Sequence, residues 1–247
     1  MESLKRSIKY QFMESKSFIL GFWSTVLIIN VFFYVLNNMS SIDFRIGFSL
    51  GAEVNGAISV AGINIMIILI SLLVYNFESN YESFPLAISL SMSRKNYFLS
   101  FLVDNVFIAF VFAIIQSLLL KIDPFLVKLI GKVPLNDFLY FNVETDNIFF
   151  IIFTLFILFL LFISFWNLIS SLNYKFGYKM WIVLIGLNIV LPLFNLDFLS
   201  QLIKYAENIL EFRFGVLQIL TIILTTIVLY ILNYFVVTRT NVKKKIA

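Results

Sequence analysis

Few side chains in this 247-residue chain are suited to catalysis or metal binding. Cys and His are absent, which excludes disulfides, thiolate metal sites and the commonest general base. Glu207 and Glu211 lie one helical turn apart as a possible carboxylate pair, but without further ligands a solvated face is the favoured interpretation. The segment 47–51 matches the Gly-x-Ser-x-Gly nucleophile motif, yet no His can activate Ser49. The sequence therefore predicts a protein that is not an enzyme.

One acidic residue lies inside a long apolar segment. Asp104, with Asn105 beside it, sits about two turns into that segment, and Gln116 follows further along. Ionisable groups within a membrane are functional candidates by default, so these three residues form a possible intramembrane polar site. The alternative is a shallow Asp104 that is solvated from the cytoplasm or paired with Arg94 or Lys95. The shallow position favours this second interpretation, because a charge near the interface costs little.

The composition indicates that these residues are positioned by membrane helices. Apolar residues make up 61% of the chain and charged residues 13%, against roughly 25% charged in soluble domains. A spanning helix needs about 20 apolar residues. The predicted fold is an all-α membrane protein with six transmembrane helices in a single domain over residues 18–237. The predicted spans are Phe18–Leu36, Ala57–Phe77, Tyr97–Leu120, Ile148–Ile169, Met180–Phe194 and Val216–Val237. The segment Lys121–Asn147, between the third and fourth spans, contains Pro124 and is predicted to be a loop on the outer side.

The distribution of charge predicts the orientation. If both termini are cytoplasmic, most of the 18 Lys and Arg residues fall in cytoplasmic segments, as the positive-inside rule requires. Residues 238–247 then form a basic cytoplasmic tail. The predicted location is the cell membrane of a bacterium. The fifth predicted span is short and contains Pro192, so whether it crosses the bilayer fully stays open at this stage.

Two segments outside the spans have helical periodicity. In residues 1–17, Leu4, Ile8 and Phe12 recur every four positions among basic residues, which predicts an amphipathic helix on the cytoplasmic surface. The alternative is a charged lead-in that orients the first span. In residues 196–214 the apolar positions fit one helical face, which predicts a helical segment in the outer interface between spans five and six.

The segment 78–96 combines a helix-start signal with apolar residues outside any span. Ser83 is a predicted N-cap, and Pro85 follows in the first turn, where a missing N–H costs little. Apolar residues such as Phe84 and Ile88 then need something to cover them. A partner protein, the chain's own helix ends and the lipid surface all remain possible.

These features together resemble the ABC-2 type transporter permeases. The sharpest match is the stretch Phe-Pro-Leu-Ala-Ile-Ser-Leu-Ser-Met-Ser-Arg-Lys-Asn-Tyr-Phe-Leu-Ser at 84–100, and the layout of six spans covers nearly the full chain. The resemblance implies the permease subunit of an ATP-driven exporter, with residues 1–17 as its connecting helix and 78–95 as the segment that couples to the ATPase. The coupling residues it implies are Glu78, Glu82, Phe84, Pro85, Leu86, Ile88, Arg94 and Lys95.

The same resemblance implies the partners. ATP and Mg²⁺ would bind to a separate P-loop ATPase, which agrees with the absence of a P-loop here, and a second permease chain, identical or not, would complete the transporter. No cofactor would bind to this chain, and no nucleic acid. The chain looks similar to permeases that export amphipathic or hydrophobic peptides such as cytolytic toxin peptides, a cargo that its 30 Phe residues suit.

Two other functions remain open on the sequence. One is an ion-coupled secondary transporter with Asp104 as its proton carrier. The other is a membrane subunit that does not transport and serves as an immunity or scaffold protein. Only the exporter requires an ATPase partner, so the presence of such a partner would distinguish it from both alternatives.

Overall fold

A computed structural model describes residues 2–39, 57–138, 140–193, 204 and 216–241. The motif at 47–51 lies outside the described residues. So do the predicted outer segment 196–214, apart from Lys204, and the basic tail beyond residue 241.

Helices dominate the described part of the chain. They are α1 (Glu2–Met39), α2 (Val60–Glu78), α3 (Phe84–Ser89), α4 (Arg94–Leu129), α5 (Ile148–Phe176), α6 (Tyr178–Leu193) and α7 (Val216–Thr238). A π-helical turn, Ser79–Ser83, joins α2 to α3. Four two-residue strands form two small ladders, parallel for β1 (Ala57–Ile58) with β2 (Val133–Pro134) and antiparallel for β3 (Asp137–Phe138) with β4 (Phe141–Asn142).

Five helices in the described residues are long and apolar enough to cross a membrane. They are α1, α2 continued through α3, α4, α5 and α7. The prediction of an all-helical fold built on long apolar helices is therefore confirmed at this level. Helix α6 covers the fifth predicted span, has 16 residues and is shorter than the five other helices at predicted spans.

The ends of α5 and α7 lie close to α3 and to the start of α4 at one end of the bundle, which we name the α3 end. Tyr174, near the end of α5, packs edge-on against Phe84 of α3 with ring centroids 5.7 Å apart. Arg94, at the start of α4, donates from Nη1 to the carbonyl oxygen of Thr238, the last residue of α7, at 3.3 Å. Both α5 and α7 therefore run toward the α3 end.

The opposite end, named the β end, holds the four strands. Lys121 of α4 ties the strand region to the bundle, because its Nζ donates to the carbonyl oxygens of Val143 at 2.5 Å and Asp146 at 2.7 Å. Gly62 allows close packing there, since a Cβ at this position would lie 3.0 Å from Cε1 of Phe138. The first turn of α2 and strand β3 are thereby held in direct contact.

Helix α4 is the centre of the bundle and is longer than the sequence predicted. It packs against α1, α2, α5 and α7, and Phe112 at its middle stacks on Phe22 of α1 at 4.9 Å. The predicted span ended at Leu120, and the residues after it were assigned to an outer loop. The helix instead continues through Pro124 to Leu129, because Lys121 and its neighbours find partners inside the protein.

Helix α1 is continuous, so the predicted boundary after Ser17 is absent. No Gly or Pro interrupts the chain there, and nothing ends the helix. On the predicted apolar face, Ile8 and Phe12 are only half-buried. The side chains fully buried in this segment belong to a polar stripe at four-residue spacing. They are Ser7, Gln11 and Ser15. The four basic residues of the segment, Lys5, Arg6, Lys9 and Lys16, are exposed.

The turn from α3 into α4 is a Schellman motif without glycine. Ser91 has a left-handed φ of 63°. Its N–H donates to the Ile88 carbonyl at 3.0 Å, and that of Met92 donates to the Ala87 carbonyl at 3.1 Å. The predicted N-cap at the other end of α3 is wrong. Ser83 has helical φ and ψ and makes no side-chain cap, since its hydroxyl group bonds elsewhere.

Candidate functional site

The residues predicted to couple to an ATPase divide into an exposed and a buried group. The exposed members are Glu78, Glu82, Leu86 and Lys95. Phe84 is fully buried, and Pro85, Ile88 and Arg94 are half-buried. The segment is thus partly core and partly surface, a division that the sequence pattern did not reveal.

Helix α3 is anchored on one side and open on the other. The Phe84 ring lies 5.2 Å from that of Tyr97 on α4, and Ala87 one turn along is fully buried. On the outer side, Leu86 is 50% exposed and Leu90 is 58% exposed. The α3 end therefore presents an apolar face on a helix that is fixed to α4 and α5.

Amide and hydroxyl groups hold the π-helical turn against α5. Asn80 Nδ2 donates to the Asn76 carbonyl at 3.0 Å and to Oδ1 of Asn167 at 3.2 Å. The hydroxyl groups of Ser170 and Ser171 complete the network, donating to the Asn76 carbonyl at 3.1 Å and to Asn80 Oδ1 at 3.0 Å. A π-helical turn replaces the i→i+4 backbone hydrogen bonds of an α-helix by i→i+5 bonds. Here the Ser170 and Ser171 hydroxyl groups of α5 bond to oxygen atoms of Asn76 and Asn80, at this irregular part of the helix.

Asp104 is fully buried, which corrects the prediction of a shallow residue solvated or paired with a base. Its Oδ2 accepts a hydrogen bond from the Tyr75 hydroxyl at 2.5 Å. Arg94 instead bonds to Thr238 and Asn241 of the α7 terminus, and Lys95 is exposed. Three helices, α1, α2 and α4, surround the carboxyl group and exclude water from it.

A second carboxyl group, that of Glu14 on α1, lies near Asp104. Glu14 Oε1 accepts a hydrogen bond from the Ser83 hydroxyl group of the π-helical turn. Glu14 and the Ser15 hydroxyl group are both among the groups that act electrostatically on Asp104. Gln11, one turn earlier, lies beside the Tyr97 hydroxyl group. We name Gln11, Glu14, Tyr75 and Asp104 the acid cluster.

The other two residues of the predicted intramembrane site lie elsewhere. Asn105 is fully buried and lies on a different face of α4 from Asp104, beside Tyr230 of α7. Gln116 is also buried, but its Nε2 donates to the Ala61 carbonyl at 2.7 Å, close to the β end. Asp104, Asn105 and Gln116 therefore do not form one site.

Asp123, which the sequence placed in a loop, is buried within α4 near the β end. Its Oδ2 accepts from the Ser59 hydroxyl at 2.6 Å, and its Oδ1 accepts from the Ala61 N–H at 3.2 Å and from the Tyr34 hydroxyl group. Ser59 is itself the N-cap of α2, accepting from the Gly62 N–H at 2.9 Å. The carboxylate thus complements the positive end of the α2 dipole.

Sequence reasoning missed Gln11, Glu14 and Tyr75 as neighbours of Asp104. The signal was present in the four-residue spacing of Ser7, Gln11 and Ser15, a polar stripe on the helix that leads into the first span. In a membrane the polar face of a helix turns inward, because lipid offers it no hydrogen bonds. The apolar positions alone therefore indicate the wrong face.

Helices α4, α5 and α7 also enclose an apolar groove with a volume of about 610 Å³. Its wall includes Phe98 and Leu102 of α4, Phe156 of α5, and Ile227 and Tyr234 of α7. The described residues include no group of three or more His, Cys, Asp or Glu side chains that could hold a metal ion. The groove therefore offers a ligand an apolar surface and does not offer a set of side chains that could coordinate a metal ion.

Comparison with known proteins adds no relative to these observations. No protein-family model, curated protein or solved structure matches the chain.

Proposed function

We propose that this chain is the membrane subunit of an ATP-driven exporter of the ABC-2 type, with α3 as the contact for a separate ATPase. The observation that carries the proposal is the geometry of α3. Phe84 fixes the helix to the bundle, while Leu86 and Leu90 remain exposed on its outer side, flanked by the exposed acids Glu78 and Glu82. Exposed apolar residues with charged neighbours are typical of a docking surface.

The proposal includes six crossings of the membrane, and the fold supports them. Helices α5 and α7 both end at the α3 end, where Tyr174 meets Phe84 and Arg94 meets Thr238. The chain between them must therefore return to the β end. Helix α6 covers roughly 24 Å of that path at 1.5 Å per residue, most of a 30 Å core. The two termini then lie on one side, the cytoplasm of a bacterial cell by their basic residues.

The anchoring of α3 suggests how movement would pass into the bundle. Phe84 contacts α4 through Tyr97 and α5 through Tyr174, and Ser83 bonds to Glu14 of α1. A displacement of α3 by an ATPase would thus reach three membrane helices through direct contacts. In this proposal two such subunits move against each other and open the pathway alternately to the two sides.

The proposed cargo is an amphipathic or hydrophobic peptide. The apolar groove between α4, α5 and α7, with a volume of about 610 Å³, offers aromatic side chains such as Phe98 and Phe156 to an apolar ligand. Sites for apolar ligands commonly have volumes of about 300–1,000 Å³, so the groove would accept a few side chains of such a peptide at a time.

One observation favours a second candidate function, a proton-coupled transporter. Asp104 is fully buried and no Lys or Arg of the described residues acts on it. A buried acid without a base is the arrangement expected of a proton carrier in a membrane. Under this alternative, transport would survive loss of the ATPase and stop when the proton gradient is dissipated.

Purification of the tagged chain from its host in mild detergent, with mass spectrometry of the bound proteins, tests the exporter proposal. We expect a P-loop ATPase to co-purify and to be lost when Leu86 and Leu90 are both replaced by Glu. The matched control is Val133→Glu, which alters a 62% exposed apolar residue at the β end and should retain the ATPase. Phe84 is unsuitable because its replacement would disturb the core.

Two outcomes would contradict the proposal. If no ATPase accompanies the unaltered chain, the exporter assignment fails and the proton-coupled transporter becomes the better explanation. If the ATPase remains bound to the Leu86→Glu, Leu90→Glu variant, α3 is not its contact.

A further inference from the structure

We propose that Glu14 and Asp104 form a proton-binding site between α1 and α4 that is occupied in the folded protein at neutral pH. The inference rests on the acid cluster alone. The proton site is compatible with an exporter subunit and with a proton-coupled transporter. Its test therefore does not depend on which of the two functions is correct.

The balance of charge around the two carboxyl groups is the first argument. Glu14 adds negative potential at Asp104, and the exposed Glu78 and Glu82 add negative potential at Glu14. No Lys or Arg of the described residues acts on either group. Two unpaired negative charges in a water-poor site are strongly unfavourable, and binding a proton removes one of them.

Hydrogen bonding is the second and independent argument. Asp104 Oδ1 and Glu14 Oε2 are buried oxygen atoms that no hydrogen bond of normal length and angle reaches. The Ser15 hydroxyl group lies near Asp104 but donates to the Phe12 carbonyl at 3.4 Å. Gln11 is fully buried beside the Tyr97 hydroxyl group, and neither atom of its amide group completes a hydrogen bond of normal geometry. An ionised carboxylate offers only acceptors, whereas a protonated carboxyl group supplies a donor. One added proton therefore gives the cluster the donor that it lacks.

The other groups facing the cluster cannot supply a compensating charge. They come from every helix packed around it, and each is neutral or acidic. These groups are Tyr10, Ser15, Glu78, Glu82, Ser83 and Tyr97. Tyrosine hydroxyl groups stay neutral near pH 7, so none of the described groups that face the cluster gives it a positive charge.

A proton fits the site better than a metal ion does. Three oxygen atoms in the cluster lack a hydrogen-bond partner, those of Gln11, Glu14 and Asp104. Calcium takes about 6–8 oxygen ligands, and the cluster reaches that number only by breaking the bonds from Ser83 and Tyr75. A proton needs one acceptor on each side and leaves those bonds in place.

Infrared difference spectroscopy of the purified chain in lipid nanodiscs at neutral pH tests the site directly. We expect the carbonyl-stretch band of a protonated carboxyl group, shifted in D₂O, in the unaltered protein. The band should be lost in the variant Glu14→Gln, Asp104→Asn. The control Asp123→Asn removes another buried carboxyl group of α4 and should retain the band, because that group is already supplied with donors.

Three outcomes would overturn the proposal. The first is the absence of the band from the unaltered protein at neutral pH, a result that does not depend on how any variant folds. The second is persistence of the band in the double variant while its helical circular dichroism is normal. The third is loss of the band when sodium chloride replaces choline chloride, which would assign the site to a sodium ion.

Discussion

Two carboxyl groups of the same helix, Asp123 at the β end and Asp104 at the α3 end, are both buried but differ in their partners. Asp123 accepts hydrogen bonds from two hydroxyl groups and one backbone N–H, so both of its oxygen atoms are supplied. Asp104 accepts from the Tyr75 hydroxyl group on one oxygen, while its other oxygen has no hydrogen-bond partner. The two residues are of the same type, lie on the same helix and are equally buried, but they differ in the number of hydrogen-bond donors that reach their carboxyl groups.

The comparison teaches how a structural acid differs from a candidate site in a membrane protein. A buried carboxylate that is fully supplied with donors stabilises one arrangement of the chain and resists change. A buried carboxyl group with an unpartnered oxygen can exist in two protonation states at similar cost. By this criterion Asp123 fixes the start of α2, and Asp104 is the better candidate for binding a proton.

The largest expected effect comes from the same substitution at both positions. Asp123→Asn should lower the free energy of unfolding by about 2–3 kcal/mol, because the amide has only one acceptor oxygen and its NH₂ group would face a hydroxyl or N–H donor. Asp104→Asn should change it by less than about 1 kcal/mol, because the amide oxygen keeps the Tyr75 bond and the acid is removed. Denaturant titration of the two variants in detergent, followed by circular dichroism, measures both. Equal losses would end the distinction between the two sites.

The tyrosines that donate to these acids give a smaller effect with a different dependence on pH. Tyr34→Phe should cost about 1.5 kcal/mol, because it removes one of the three donors to the buried carboxyl group of Asp123. Tyr75→Phe should cost about 1 kcal/mol at neutral pH, and more as the pH rises. The cost rises with pH because Asp104 loses its proton as the pH rises. A protonated Asp104 tolerates the loss of the Tyr75 donor, whereas an ionised Asp104 does not. The measurement is denaturant titration over a range of pH, and a flat profile for Tyr75→Phe would argue against a proton at Asp104.

The sequence predicted the class of fold and most helices, because long apolar segments leave few alternatives in a membrane. It also identified Asp104, since an acid in such a segment stands out. It failed at Lys121 and Asp123, where charge next to Pro124 resembled a loop, because their partners come from the segment after β4 and from the start of α2. Such partners are distant in sequence, and no local pattern reveals them.

Two residues at the α3 end show a different limit of the sequence. Three covers for Phe84 were left open, and the structure selects the chain's own helices, because the rings of Tyr97 and Tyr174 cover it. The apolar periodicity of residues 1–17 gave no role to Gln11, yet this polar side chain is fully buried. Polarity predicts exposure in water, but at the end of a membrane bundle the helices bury both kinds of residue.

The smallest expected effect is that of Ser91→Gly, a change of backbone freedom that serves as a control for the comparison of Asp104 with Asp123. Ser91 has a left-handed φ of 63° in the turn between α3 and α4, a conformation that glycine adopts without steric cost. Ser91→Gly should therefore raise the free energy of unfolding by about 0.5 kcal/mol, the strain relief being partly offset by the greater freedom of the unfolded chain. Because Asp123 lies at the opposite end of α4, the gain should be the same in the Asp123→Asn background, within roughly 0.3–0.5 kcal/mol for independent sites. Denaturant titration of the single and double variants measures this additivity. A gain that disappears in the double variant would mean that the two ends of the bundle are coupled, and the donor count at each carboxyl group would then not be a local property.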